Sequence, residues 1–396
     1  MSDLPALTPD DAARGFELGP IRPPSEAMSL LVRVIRNCTW NRCTFCPVYK
    51  GTTSSQRDVE DVLADVDAMA ACAGILREKG WMAARTRGSQ GASGTPPFEL
   101  PREAYQVELF LRGGAKTVFL QDADPCAVKP EKLAAVIRRV HERFPSVERV
   151  TTYGRASTLS RRAPGDLALL AEAGLTRVHL GLESGADEVL MAIAKGCSSG
   201  DVIAAGERVL GAGLELCFYL MPGLGGRAAA AAHVAGSARV IRAVAQAAPD
   251  GNPLVVRLRT AAVVPSTPLG AREAAGEFVL PDDVEVAQEL RDLLEQLGDA
   301  RFELRSDHVL NLLNELEGSL PGDRGRLIAL LDEYLGWPRD DQARFAVGVR
   351  LGLFRRLADY DDPARRRALD RQFSSYEDPS ADELLRVASA LRSRFI

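Results

Sequence analysis

The sequence predicts an α/β fold, a partial (β/α)6 TIM-like barrel followed by a C-terminal helical domain. Three observations carry this reading. Short apolar runs rich in β-branched residues alternate with helix-like segments through the first part of the chain. From the second run onward they start at Lys116, Arg149, Thr176, Leu214 and Pro253, spacings that suit successive strand-helix units of a parallel sheet. Beyond Pro281 the strand pattern stops and helical periodicity takes over.

Taken in order, residues 1–25 are polar and end in "GPIRPPSEA", where adjacent prolines enforce extended backbone; this stretch reads as a leader. The barrel is expected over 26–275, with strands in "LLVRVIR", "KTVFLQD", "RVTTYGR", "TRVHLGLE", "LELCFYLM" and "PLVVRLRT". Between the first two runs, helices are expected at 56–79 and near 102–113. They flank a Gly-, Ser- and Pro-rich stretch near 80–101 that reads as a mobile insertion. The helical domain, 276–396, contains "DDVEVAQELRDLLEQL", "GRLIALLDEYL", "DQARFAVGVRLGLFRRLADY" and "ADELLRVASALRSRF". Within it Ser306, Asp307, His308 and Asn311 read as a helix N-cap and first turn in preference to a polar cluster at the barrel mouth.

Composition narrows the function. With 396 residues and 46% hydrophobic content the chain can bury a large core. No run approaches the roughly 18 to 20 apolar residues of a spanning helix, and the N-terminus lacks the basic and apolar regions of a signal peptide. The expected location is the cytoplasm, where clustered cysteines are metal ligands or catalytic thiols more often than disulfides. A net charge of −5 argues against a generally phosphate-binding protein.

The densest chemistry lies in "CTWNRCTFC". Cys38, Cys43 and Cys46 form C-x4-C-x2-C directly after the first strand run. A structural zinc site wants four ligands, and so does an ordinary 4Fe-4S cluster. Three thiolates on a cubane cluster leave one iron open for a substrate or cofactor; zinc with a remote fourth ligand and a coincidental spacing are the alternatives. The loop sits at the C-terminal end of a strand, where barrel enzymes collect catalytic groups. Phe45, just before the last cysteine, either presents an aromatic face there or packs in the core.

These residues resemble the radical S-adenosylmethionine (SAM) superfamily, whose usual motif is C-x3-C-x2-C with an aromatic before the last cysteine; this chain has one extra residue in the first spacing. The resemblance implies that SAM chelates the open iron of a 4Fe-4S cluster and is cleaved reductively to a 5'-deoxyadenosyl radical. It extends along the later strand ends over roughly residues 19 to 270, toward the branch with coproporphyrinogen oxidases, methylthiotransferases and Elongator-type enzymes. Gln121, Asp122 and Asp124 in "FLQDADP" stand where the family binds the SAM amino group, although Asp124 can also serve as a turn cap. Arg155 stands where an arginine pairs with the SAM carboxylate, or it makes a surface ion pair. Glu183 is implied at the ribose hydroxyls, with Ser184 and Lys195 matching the same "LESGADEVLMAIAKG" pattern; Lys195 alternatively is a helix-terminal cation. Met221, Pro222 and Gly223 in "FYLMPGLGG" correspond to the segment shaping the adenine and methionyl pocket.

The resemblance leaves the substrate open. Arg257 and Arg259 alternate along the last strand run and suit either an acidic substrate or acidic neighbours. Cys72, Cys126, Cys197 and Cys217 stand alone in the sequence and read as small buried hydrophobes, so sulfur insertion from a second cluster is disfavoured. No domain of cobalamin-binding size is expected ahead of the barrel. A small molecule is expected as substrate over RNA, because acidic residues intersperse the Arg-rich helices, and a flavodoxin or ferredoxin is expected as electron donor. The competing reading is a non-catalytic iron-sulfur or zinc protein on the same barrel.

Overall fold

Ten strands form among the described residues: β1 Leu30–Arg33, β2 Ile35–Arg36, β3 Ser55–Gln56, β4 Thr117–Gln121, β5 Arg149–Gly154, β6 Arg177–Glu183, β7 Glu215–Leu220, β8 Leu254–Leu258, β9 Phe302–Arg305 and β10 Gly318–Leu320. The six runs expected as strands all fold as such, the first being interrupted at Val34 to give β1 and β2. Mostly parallel strands with helices between them make this an α/β fold. The computed structural model describes residues 6–78, 100–249, 251, 254–373 and 379–393, so all but the end of the expected insertion near 80–101 lies outside the described residues. The chain divides into two units, one of residues 1–39, 51–179 and 212–214, the other of 40–50, 180–211 and 215–396, with the division falling inside β6.

In the first unit β1, β4 and β5 run parallel, with Arg33 opposite Gln121 and Leu120 opposite Thr152. Both faces are covered, which is why these strands read as continuous apolar runs. Helix Pro130–Arg143 shows how the covering layer forms. Proline occupies its first turn, where no N–H is needed, and Leu133, Ile137 and Val140 recur at helical spacing and are fully buried. Each such side chain contributes about 1.5–3 kcal/mol on burial. Phe110 and Phe144 meet edge to face at 5.3 Å. The expected leader is integrated into this unit. Helix Pro9–Ala13, capped by Thr8, packs on helix Val59–Glu78, and Glu17 receives hydrogen bonds from Arg33 and Arg36.

In the second unit β7, β8 and β9 are parallel and β10 is antiparallel to β9. Helices dominate after Pro281, but β9 and β10 are strands that the helical reading does not anticipate. The signal was "FELR", where Phe302 and Leu304 are buried and Glu303 and Arg305 are not, a period of two over too few residues to stand out. The helix expected through 341–360 ends at Arg350; Gly352 follows at φ +73°. Gly348 admits the Phe354 ring, which would lie 2.1 Å from an added Cβ. The expected N-cap at Ser306 is also corrected, since residues 306–311 form no helix. Asn311 instead accepts from the Thr260 N–H at 2.9 Å and donates to the Leu258 carbonyl at 2.9 Å and to Ser306 Oγ at 3.1 Å. Its cluster therefore ties a loop to the end of β8. Arg257 pairs with Asp307, an acidic neighbour.

Candidate active site

The cysteine loop is closed at its base by antiparallel pairing of β2 with β3. On the first unit's side, the residues flanking Cys38 are tethered to the end of β4. Asn37, at φ +65°, donates its N–H to Asp122 at 3.1 Å and its side-chain amide to the Thr53 carbonyl at 2.7 Å. Thr39 donates to Asp124 at 3.0 Å. Asp122 also pairs with Arg33 at 2.6 Å, and Asp124 accepts from Thr158 at 2.7 Å and from the Arg155 N–H at 3.1 Å. Gln121 accepts from the Gly19 N–H at 3.0 Å and donates to the Ile21 carbonyl at 2.6 Å.

All three side chains expected at the SAM amino group are 0% exposed. Gln121, Asp122 and Asp124 tether the surrounding chain through these bonds. Burial raises the Asp124 carboxyl above its ordinary value, against the lowering effect of the Thr158, Arg155 and Thr39 donors. Arg155 stands at the start of the short helix Ala156–Leu159, immediately after β5.

The second unit holds Cys43, Phe45 and Cys46. Here the loop is pinned by backbone and ring contacts. The Thr44 N–H donates to the Ile193 carbonyl at 2.8 Å, the Thr44 carbonyl accepts from Leu269 at 3.0 Å, and Trp40 Nε1 donates to the Ala194 carbonyl at 2.7 Å. Gly196, at φ +73°, is required where it stands, because an added Cβ would lie 2.4 Å from the Trp40 ring. Phe45 packs, partly buried, against the apolar cluster that includes Ile193, Met221 and Leu269. Cys38, Cys43 and Cys46 are all partly exposed, and no cysteine among the described residues is in a disulfide.

At the end of β6, Glu183 takes φ +56°, a conformation that non-glycine residues adopt only when their surroundings hold it. Its carboxylate lies 2.6 Å from Lys195 Nζ. Burial alone would lower the Lys195 ammonium, but Glu183 and the thiols of Cys43 and Cys197 outweigh it and hold the group above its ordinary value. Lys195 is thus a partner of Glu183 placed near the cysteine loop. Ser184 is fully buried, with Oγ 2.8 Å from His233 Nδ1. His233 Nε2 lies 3.3 Å from Glu289 Oε1, which accepts from the Gly223 N–H at 2.8 Å. Burial lowers His233 to about 4 and raises Glu289 to about 7, the latter against the Gly223 donor. Met221, Pro222 and Gly223 are buried, and the Met221 N–H donates to the Glu183 carbonyl at 3.0 Å.

Helix Ala230–Ala247 presses backbone to backbone on the 184–186 turn. A Cβ on Gly236 would meet the Ala186 nitrogen and the Gly185 carbonyl at 2.6 Å. Neither can move as a side-chain tip would, so Gly236→Ala is expected to destabilise the protein by about 1–3 kcal/mol, measured by urea unfolding; an unchanged midpoint would refute the close fit.

His233 and Glu289 escape a reading from the sequence. Each is one polar residue among several on an amphipathic helix, and neither has motif spacing to the strand ends it reaches. Trp40 had a weak signal, an aromatic between two cysteines of the loop.

Residues 84–230 match the family described as the Radical SAM superfamily. No curated protein matches the chain. Among solved structures it is similar to the archaeal Methanocaldococcus infernus Elp3 with an N-terminal deletion, at 17% identity and a TM-score of 0.39, over 59% of this chain and 58% of that one. It is also similar to the cobalamin-dependent SAM radical enzyme OxsB, at 14% identity and 0.42, over 92% of this chain and 53% of that one. A third is coproporphyrinogen III oxidase (HemN) from Escherichia coli, at 15% and 0.39, over 93% and 90%. The chain therefore spans little more than half the length of the first two.

Proposed function

We propose, from the match of residues 84–230 to the Radical SAM superfamily, that the chain is an enzyme that binds a 4Fe-4S cluster through Cys38, Cys43 and Cys46 and uses SAM to begin radical chemistry on a small molecule. The observation that carries the reading is the combination of that match with a three-thiol loop immediately after the first strand. The donor set fits the cluster: three soft, reduced, partly accessible thiols suit iron-sulfur ligation. Among the described residues no three His, Cys, Asp or Glu side chains already surround a metal-sized position. Once bound, the cluster and SAM supply reductive cleavage of a sulfonium carbon–sulfur bond.

The chain's own residues do the rest. Glu183, fixed by Lys195, accepts the ribose hydroxyls; Arg155 receives the SAM carboxylate; Phe45, Met221, Pro222 and Gly223 shape the apolar surface for the nucleoside. Glu183→Gln is expected to weaken SAM binding by about 1–3 kcal/mol, the loss of a charge-assisted acceptor. Isothermal titration measures it, and unchanged affinity would remove Glu183 from the site.

A flavodoxin or ferredoxin supplies the electron in this reading. The preference for a small molecule over RNA is supported by the paired state of the Arg-rich helices: Arg344 meets Asp370, Arg365 meets Asp359 and Asp362, and Arg366 meets Asp341. No helix among the described residues is long and apolar enough to cross a membrane.

The test is anaerobic reconstitution, reduction and incubation with SAM, with mass spectrometry of the products. Formation of 5'-deoxyadenosine, slow alone and faster with a cell extract supplying substrate, is the expected result. Cluster-loaded, reduced protein that binds SAM and cleaves none would favour the non-catalytic reading.

A further inference from the structure

We propose that His233 and Glu289 are positioning residues for SAM, locking the 184–186 turn beside Glu183 to the 221–223 turn so that two segments facing one nucleoside keep a single spacing. The inference rests on the reading that Glu183 and the 221–223 segment contact SAM. It goes beyond that reading in assigning a role to two side chains that meet no ligand.

The link is a continuous chain of contacts inside the second unit. The Ala186 N–H donates to Ser184 Oγ at 3.1 Å, and Ser184 Oγ lies 2.8 Å from His233 Nδ1. His233 Nε2 approaches Glu289 Oε1 at 3.3 Å, and Glu289 Oε1 accepts from the Gly223 N–H at 2.8 Å. Ser184, His233 and Glu289 are 0%, 2% and 6% exposed, so water does not compete for these contacts and each polar group depends on its neighbour. Beside the relay, the Met221 N–H donates to the Glu183 carbonyl at 3.0 Å.

The supporting helices are built for the task. Helix Ala230–Ala247 presents His233, Gly236 and Ser237 on one face. Gly236 allows the backbones to touch, and Ser237 Oγ accepts from the Gly185 N–H at 3.0 Å. Helix Asp283–Gln296, which packs on it, presents Glu289. Glu183 itself sits at φ +56°, so its direction depends on how firmly the following turn is held.

The experiment is SAM titration calorimetry on full-length, cluster-loaded protein, with thermal melting and iron content measured in parallel. His233→Leu breaks the relay at its centre, and Glu289→Ala removes its far end. Glu289→Gln keeps at the Oε1 position an oxygen that accepts both from the Gly223 N–H and from a His233 Nε2–H. Roughly tenfold weaker SAM binding in the two disruptive variants at unchanged iron content, with Glu289→Gln within about threefold of the unsubstituted protein, is expected. Should His233→Leu fail to fold, the comparison of Glu289→Ala with Glu289→Gln decides alone. Affinities of Glu289→Ala and Glu289→Gln that match each other, whether both normal or both weakened, would overturn the proposal. An unsubstituted protein that holds its cluster and binds no SAM would instead overturn the cofactor reading, in the same titration.

Discussion

Replacement of Cys38, Cys43 and Cys46 together by alanine is expected to abolish uptake of iron and sulfide on anaerobic reconstitution while leaving the protein folded. Thiolates are the soft ligands an iron-sulfur cluster requires, and alanine offers no donor. The fold should survive because the loop is not held by its sulfurs. Trp40 donates to the Ala194 carbonyl, Thr44 bonds in both directions to Ile193 and Leu269, Asn37 reaches Thr53, and the cysteines are only partly buried. Iron and sulfide analysis measures the loss, and circular dichroism checks the fold. Iron and sulfide retained at the level of the unsubstituted protein would end the cluster assignment.

Asp283→Ala should destabilise the second unit by about 3–5 kcal/mol, the loss expected when one partner of a buried ion group is removed. Arg350 and Arg392 both pair with Asp283, the latter at 3.0 Å, and all three side chains are 0% exposed. Arg392 also donates to the Pro281 carbonyl at 3.0 Å. The triad thus fastens helices Asp283–Gln296, Arg339–Arg350 and Ala381–Arg392 at one buried point. Without the carboxylate, two guanidinium groups share a site that offers no counter-charge, and burial already lowers Arg350 below its ordinary value.

Burial tends to raise Asp283, but Arg350 and Arg392 outweigh it and hold the carboxyl below its ordinary value. Its contribution is therefore present above the ordinary carboxylate range and lost as pH falls through the depressed value. Urea unfolding at neutral pH measures the effect, and a loss below about 1 kcal/mol would show that the triad is not the fastening point.

Much of the strand order was legible because buried parallel strands are short, β-branched and evenly spaced, a property of local sequence. The cysteine loop was legible for the same reason, its ligands being neighbours along the chain. Glu183 was legible as an acid at a strand end, although its left-handed backbone was not. What the sequence left ambiguous was the partner of each polar residue. Asp124 read equally as a ligand of an ammonium or as a turn cap, and only the tertiary structure shows that Asp122 and Asp124 hold Asn37 and Thr39. Asn311 looked like part of a helix start and instead ties a loop to β8.

From the sequence alone came the α/β class, the thiol loop and the acid after β6, because each depends on residues within a few positions of one another. The tertiary structure alone decided that Ser184, His233, Glu289 and Gly223 form one relay. A buried hydrogen bond is set by where helices cross, and residues 184 and 289 have no periodicity that brings them together before the chain is packed.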